Sequence, residues 1–457
     1  MRINEKLEAS QLKEKIQRLF ELSGRKILDI EASWNPEQGT PVFTVQGKYT
    51  SRGWTEWTQG FQYGSALLQY DATGDEKFLE IGRKRTLERM APHVTHTGVH
   101  DHGFNNISTY GNLLRLMHEG KIEKNEWERH FYEMALKVSG AVQAMRWSTT
   151  SDGLGYVYSF NGPHSLFVDT IRSMRSLSLA YKLGHVLMGE QDMEISLLER
   201  SIKHCLSTAR YNVYYGKGRD AFDVPGRTIH EAIFNRNNGV FRNPSTQQGY
   251  TPFSTWTRGL AWAITGFAEE LEFLDTVEDQ EVNMDGGKEG VVREYLEAAC
   301  VTADFYITNT PTDGIPYWDT GAPGLAFMGD YFNRPAEPDN NHEPVDSSAA
   351  AITAQGLIRL GKYLLGKGDN HAGRRYYKAG LTIANALFDE PYLSLSDGHQ
   401  GLILHSVYHR PNGWDYIPPG SKVPNGESSM WGDYHARELG VLILREGGTG
   451  PYPAFFS

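Results

Sequence analysis

Amphipathic segments with helical spacing recur about a dozen times along this 457-residue chain, and that repetition constrains its fold more than any other feature. Apolar residues return at intervals of three and four in Trp57, Phe61, Gly64 and Leu68, in Phe131, Ala135, Val138 and Val142, and in Val292, Leu296, Ala299, Ala303 and Tyr306. Helices are predicted to begin near Lys6, Thr55, Gly74, Phe104, Lys124, Ser165, Met193, Ser254, Gly290, Ser347, Asn370 and Ser428. No sustained alternation demands a large sheet, and short strands are placed only within 27–46 and 227–243. The loops differ in length. Those at 71–74 and 120–123 are short enough to join antiparallel helix pairs, whereas 311–345 and 391–427 are long and rich in glycine, proline and aromatics. Loops of that length inside a compact domain usually carry function. Up-and-down pairs with long loops on one face point to an all-α (α/α)6 barrel, residues 1–457 forming a single catalytic domain without a Pro/Ser-rich linker. A helical bundle or a solenoid of pairs is the alternative that periodicity leaves open.

Composition narrows the functional classes. A content of 39% hydrophobic and 22% charged residues is that of a soluble globular protein. No run approaches the roughly 18 apolar residues of a membrane span, so no membrane partner is expected. The segment Met1 to Ser10 is polar, and the two cysteines, Cys205 and Cys300, form no disulfide framework. Both facts favour the cytoplasm, or the periplasm if a leader was removed. Cys205 falls on the apolar stripe Leu198, Ile202, Cys205, Ala209 and is expected to be buried. The net charge is −11 with no basic stripe, which argues against nucleic acid as a partner. An acidic substrate would need a local cationic pocket. Ten tryptophans and 12% aromatic residues offer platforms for sugar faces.

Two carboxylates stand out. Asp101 lies between two histidines in His100-Asp101-His102-Gly103-Phe104, at the start of a predicted helix, where the backbone dipole favours an anion. Taken alone, an aspartate there is more often a helix cap. Asp169 follows Phe167 and Val168, whose bulk is expected to desolvate it and raise its pKa, as suits a general acid. The competing reading is an Asp169–Arg172 pair on a solvated helix face. Two carboxylates in one pocket are the minimum for acid/base work at a glycosidic bond, although sequence does not give their separation. A third cluster joins Gln248-Gly249-Tyr250 to Arg258 and Trp262, which share a helix face four residues apart. His230, read alone, is structural. His93, His96, His100 and His102 resemble a metal cluster, but Thr97-Gly98-Val99 is a poor helix and no glutamate follows His96, so no metal is expected. Neither a glycine-rich phosphate loop nor a G-x-S-x-G elbow is present.

These motifs in this order resemble the unsaturated glucuronyl hydrolases, glycoside hydrolase family 88. His100 to Phe104 is similar to that family's H-D-x-G-F segment, and Val168-Asp169-Thr170 to its second, helical aspartate. Gln247 to Tyr250 with Trp256 to Trp262 resembles its Q-G-Y and W-x-R-G-x-A-W motifs. Pro316 to Asp319, Asp346 to Ala351 and Trp431 to Tyr434 follow in order, so the likeness runs from Trp54 to Tyr434. The resemblance implies an (α/α)6 barrel, no metal or other cofactor, and an oligosaccharide substrate ending in a 4,5-unsaturated uronic acid, as a polysaccharide lyase leaves it. Hydration of the vinyl ether then releases the sugar. By motif, Asp169 protonates C4 and assists water at C5, and Asp101 helps hold the ring and the charge arrangement. His100, His230, Gln248, Arg258, Trp57 and Trp262 line the subsite, with Arg258 the cation for the substrate carboxylate. His102 stands where the family has an aliphatic residue; it is expected to face the pocket and shape sugar choice, the alternative being that it only packs the loop. The segments 325–344 and 408–429 are read as extensions. Two other classes remain: a sugar epimerase or isomerase using histidine pairs on the same barrel, and an inactive carbohydrate-binding relative.

Overall fold

The computed structural model describes residues 1–52 and 56–456; the helix start expected at Thr55, and Trp54 at the head of the motif series, lie outside the described residues. Twelve main helices among the described residues follow one another along the chain. They are α1 (Lys13–Ser33), α2 (Gln59–Thr73), α3 (Glu76–Arg89), α4 (Asn112–His118), α5 (Glu126–Met145), α6 (Arg175–Lys182), α7 (Leu197–Tyr211), α8 (Thr257–Leu274), α9 (Gly287–Thr308), α10 (Ser347–Gly366), α11 (Asn370–Leu387) and α12 (Met430–Leu444).

The even-numbered helices form a closed inner ring. α12 packs on α2, and α2 on α4 with its preceding turns His102–Asn105 and Ile107–Gly111. The first of those turns packs on α6 and its leading turn Thr170–Ser173, both of which meet α8. Contacts of α8 with α10 and of α10 with α12 complete the circuit. Each odd-numbered helix covers inner ones: α1 lies on α2 and α12, α3 on α2, α5 and α7 on α6, α9 on α8, and α11 on α10. This is the expected (α/α)6 barrel. The difference between layers is written in the residues. Every residue of α8 except Glu272 is buried, which requires an apolar helix all round, while an outer helix such as α1 buries one stripe.

Several local expectations are corrected. The helix predicted from Ser165 begins only at Thr170, because Ser165–Phe167 is a strand, β1. It pairs antiparallel with β2 (Glu231–Phe234), which pairs with β3 (Phe241–Ser245); β2 lies inside the predicted strand region and β3 runs two residues past its end. Residues 27–33 extend α1, and the expected strand there is only Phe43–Val45, paired with Lys48–Thr50. The stripe Phe131, Ala135, Val138, Val142 does not face the core as a unit: Phe131 is 49% exposed, and α5 buries Tyr132, Ala135, Leu136, Ser139, Gly140 and Gln143 instead. Cys205 is buried as expected. No helix among the described residues is long and apolar enough to cross a membrane.

Below the long loops the barrel axis is filled with charge. Arg172 pairs with Glu269 and Glu438 and contacts His435 Nε2 at 2.9 Å, all buried, so it is not the solvated partner of Asp169. Beneath it, Arg175 lies against Phe455, 5.5 Å from the ring centre, and Arg359 donates to the Pro453 carbonyl at 3.2 Å. The chain's last segment thus closes the axis at the far end. On α8, Glu270 is buried against Ser178 and Ser201 and carries its proton up to a pKa of about 8: burial raises it, the Ser178 bond opposes, and Glu269 adds to the rise.

Candidate active site

The site grows from the junction of β1, β2 and two helix starts. Asp169 lies two residues beyond β1, and His230 immediately precedes β2. The Val168 N–H donates to the His230 carbonyl at 2.9 Å, which fixes one beside the other. Asp101 arrives from the neighbouring inner element. Gly103 makes this possible, since a Cβ there would lie 2.5 Å from the Ser173 backbone, and its N–H donates to Ser173 Oγ at 2.7 Å. Two side chains of α5 brace the loop in front of Asp101: Gln143 donates to the His100 carbonyl at 2.7 Å, and Arg146 to the Thr97 carbonyl.

Asp101 occupies an N-cap position but makes no capping hydrogen bond, so the cap reading fails; its carboxylate is turned toward His100 instead. His100 Nε2 stands 3.2 Å from Asp169 Oδ2 and 3.5 Å from Asp101 Oδ1. His230 Nε2 stands 3.5 Å from Asp169 Oδ1. The tautomers follow from the other ring nitrogens. His100 Nδ1 accepts from the Phe160 N–H at 3.3 Å, and His230 Nδ1 accepts from the N–H groups of Gln247 at 2.9 Å and Gln248 at 3.3 Å. Both imidazoles therefore carry a proton on Nε2 and direct it at Asp169.

The electrostatics reverse one expectation. Burial, here including Phe167 and Val168, does press Asp169 toward neutrality, yet His100 and His230 outweigh it and hold its pKa well below the usual carboxylate range. Asp101 is the raised carboxyl, through burial and the nearby Asp169, with His100 opposing. His100 is itself raised, because the two carboxylates overcome the effect of burial. One ligand-capable atom from each of His100, Asp101 and Asp169 lies within 4.8 Å of the others. The nitrogen His100 offers to that group carries a proton aimed at Asp169, so the trio as placed shares protons and is not arranged as a cation cage. His93 is engaged by Gln59 at 2.7 Å and Asn105 at 3.0 Å, and does not join it.

Around these groups lies a cleft of about 230 Å³. Trp57, His100, Asp101, Asp169, Gln248, Arg258 and Trp262 all line it, together with Phe104, Phe160, Phe167, Gln247, Trp256, Tyr408, His409, Asn412 and Trp414. His230 sits behind Asp169 with its side chain fully buried. His102 is corrected: it points away, with Nδ1 at 3.0 Å from Ser139 Oγ and Nε2 at 2.8 Å from the His96 carbonyl, and burial lowers its pKa to about 4. It packs the loop and does not reach the cleft. Arg258 is corrected in part. It lines the cleft, but its Nη1 donates to Asp346 at 2.8 Å and to the Val407 carbonyl, and its Nη2 to Gln248 Oε1 at 3.0 Å and the Tyr408 carbonyl at 2.7 Å. Trp256 and Trp431 flank the guanidinium at 4.6 and 5.0 Å. It fastens Val407 and Tyr408 to the barrel and holds Gln248 by its Oε1, which leaves the amide nitrogen as that side chain's donor end. Tyr408, His409, Asn412 and Trp414 were not singled out from sequence; the length and aromatic content of 391–427 were the available signal.

The model of Glycosyl Hydrolase Family 88 matches residues 38–296. An unsaturated glucuronyl hydrolase of Bacillus sp. (strain GL1) is 28% identical over 410 residues, 88% of this chain and 90% of that protein. An unsaturated chondroitin disaccharide hydrolase of Streptococcus agalactiae serotype III (strain NEM316) is 22% identical across 90% of this chain and 86% of its own. The solved unsaturated glucuronyl hydrolase of Bacillus sp. GL1 superposes with a TM-score of 0.69 at 24% identity, covering 96% of this chain and 99% of that one. A family model that spans most of the motif series, and a solved relative that shares the ring of helices end to end, make the chain a member of glycosyl hydrolase family 88.

Proposed function

We propose that this hydrolase releases a 4,5-unsaturated uronic acid from the non-reducing end of lyase-generated oligosaccharides by hydrating the vinyl ether. The observation that carries the reading is Asp169, a buried carboxylate addressed by two imidazole protons, with a second, raised carboxyl beside it in an aromatic cleft. Protonation at C4 leaves cationic character at C5 that the ring oxygen shares. Water adds at C5, and its proton returns to the enzyme. The C5 hemiketal opens to a ketone, exposing a C1 hemiacetal that expels the leaving sugar. One carboxyl group serves as acid and then as base, so no net proton is consumed.

In the free site Asp169 is ionised. A substrate carboxylate brought close to it opposes that charge and raises its pKa, so the acid form arises with the bound sugar. Asp101, across His100 Nε2 from Asp169 and itself raised, adds to the field that favours a proton on Asp169 once the sugar is bound. An epimerase would use its histidines as independent proton carriers on opposite sides of a carbon, whereas both Nε2 protons here converge on one carboxylate. The test is to incubate the enzyme with lyase-generated unsaturated disaccharides. Loss of the ultraviolet absorbance of the conjugated double bond, with a free keto sugar appearing, is the expected result. Binding without loss of absorbance would overturn the reading.

A further inference from the structure

Among the described residues that line the cleft, Arg258 is the one lysine or arginine, and all four terminal N–H bonds of its guanidinium are spent on Asp346, Gln248 and the Val407 and Tyr408 carbonyls. The wall made by Tyr408, His409, Asn412 and Trp414 presents aromatic faces and neutral polar groups. His409 is held neutral, with burial and then Arg258 and His230 lowering its pKa to about 4. The loop's shape is set internally: Asp415 accepts the N–H groups of Tyr408 and His409, at 2.5 and 3.0 Å. Arg410 belongs to this loop but does not line the cleft, and its charge lies near Asp415.

We infer that, given the reaction proposed above, the wall from Tyr408 to Trp414 receives an uncharged leaving sugar and discriminates against a sulfated one. The charge inventory decides this. One anionic group, the uronate of the substrate, can be met at the reacting end, where the Nε2–H of His100 and the Gln248 amide are donors. Among the described residues that line the cleft, a second anion on the leaving sugar finds no lysine or arginine besides Arg258 and shares the space with the ionised Asp169; Arg52, which donates to the Trp414 carbonyl at 2.6 Å, lies behind that wall and outside the lining. Removing a sulfate from water without a charged partner is strongly unfavourable. A neutral pyranose stacks on Trp414 and Tyr408 and accepts from the Asn412 amide without that cost.

The experiment compares two unsaturated disaccharides that differ only by a 6-sulfate on the leaving sugar, followed by ultraviolet absorbance at low and high ionic strength. The neutral disaccharide should show kcat/KM at least about tenfold higher at low salt, because like charges repel across the cleft, and the gap should narrow as salt screens them. Asn412→Lys should raise the relative rate on the sulfated compound. Equal or faster turnover of the sulfated compound by the wild type, lost in Arg410→Gln, would overturn the inference and leave the reaction standing. Absence of turnover on both compounds would instead remove the proposed reaction, and this inference with it.

Discussion

His230 Nε2 stands 3.5 Å from Asp169 Oδ1, and among the described residues neither atom has a hydrogen-bond partner. Both are buried, and an unmade bond between such groups is costly. A water or a sugar hydroxyl that accepts from the imidazole and donates to the carboxylate would satisfy both, at the carboxylate that the proposed reaction needs beside its water.

Asp169→Asn keeps the shape and removes the proton transfer. Turnover should fall by about 10²- to 10⁴-fold with little change in melting temperature. Retention of more than roughly a tenth of wild-type activity would exclude a general acid–base role of that size.

His230→Ala removes one of the two groups that hold Asp169 below the usual range. The pKa of Asp169 should therefore rise, and the limb of the kcat/KM profile that Asp169 sets should move to higher pH. A lower rate with an unmoved profile would show His230 to be packing alone.

Arg258→Met leaves Asp346 buried beside the loop it helped fix, and breaking a buried pair from one side costs about 3–5 kcal/mol. Thermal unfolding should show that loss, and Arg258→Met with Asp346→Asn, which removes the stranded charge while its side-chain oxygen still caps α10, should recover part of it. A single variant with wild-type stability but a raised KM would return Arg258 to the role of substrate cation.

His102→Leu should leave the ranking of substrates unchanged, because the imidazole bonds Ser139 and the His96 carbonyl outside the cleft. The expected cost is in stability, about 1–3 kcal/mol for the polar groups left without it. An altered ranking in a substrate panel would contradict its placement.

Glu270 yields a pH signature. Its folded pKa, about 8, lies above the ordinary value of 4.5, so the folded state holds a proton that the unfolded chain releases between those values. The associated stability is fully present below about pH 4.5 and is lost as pH rises toward 8. Glu270→Gln cannot ionise, so its melting temperature should gain on the wild type across that window. A constant difference between the two would assign the charge elsewhere.

The barrel was legible because inner and outer helices carry their apolar residues differently, and spacing records that difference. Asp101, Asp169, Gln248 and Trp262 were legible as motif residues, and the structure gathers them around one cleft. The direction of a side chain in an irregular segment was not legible. His100 and His102 are two residues apart, yet one faces the carboxylates and the other the α5 helix, a choice made by Gln143 and Ser139 far along the chain. The sign of the Asp169 shift escaped for the same reason, since the two imidazoles that outweigh burial, those of His100 and His230, come from residues far away along the chain. Tyr408 to Trp414 lack periodicity, so their loop could be marked as functional but its wall of the cleft could not be drawn.

The column beneath the cleft has a consequence for traffic. Trp262 rests on His435, His435 on Arg172, and Arg175 on Phe455, so the floor is a solid stack that ends at the chain's own tail. Among the described residues, the cleft is closed below Trp262. On the proposed reaction, a chain terminus enters and stops at the depth of Asp169. On the reaction proposed above, the leaving sugar, lodged nearer the entrance, departs before the keto acid behind it.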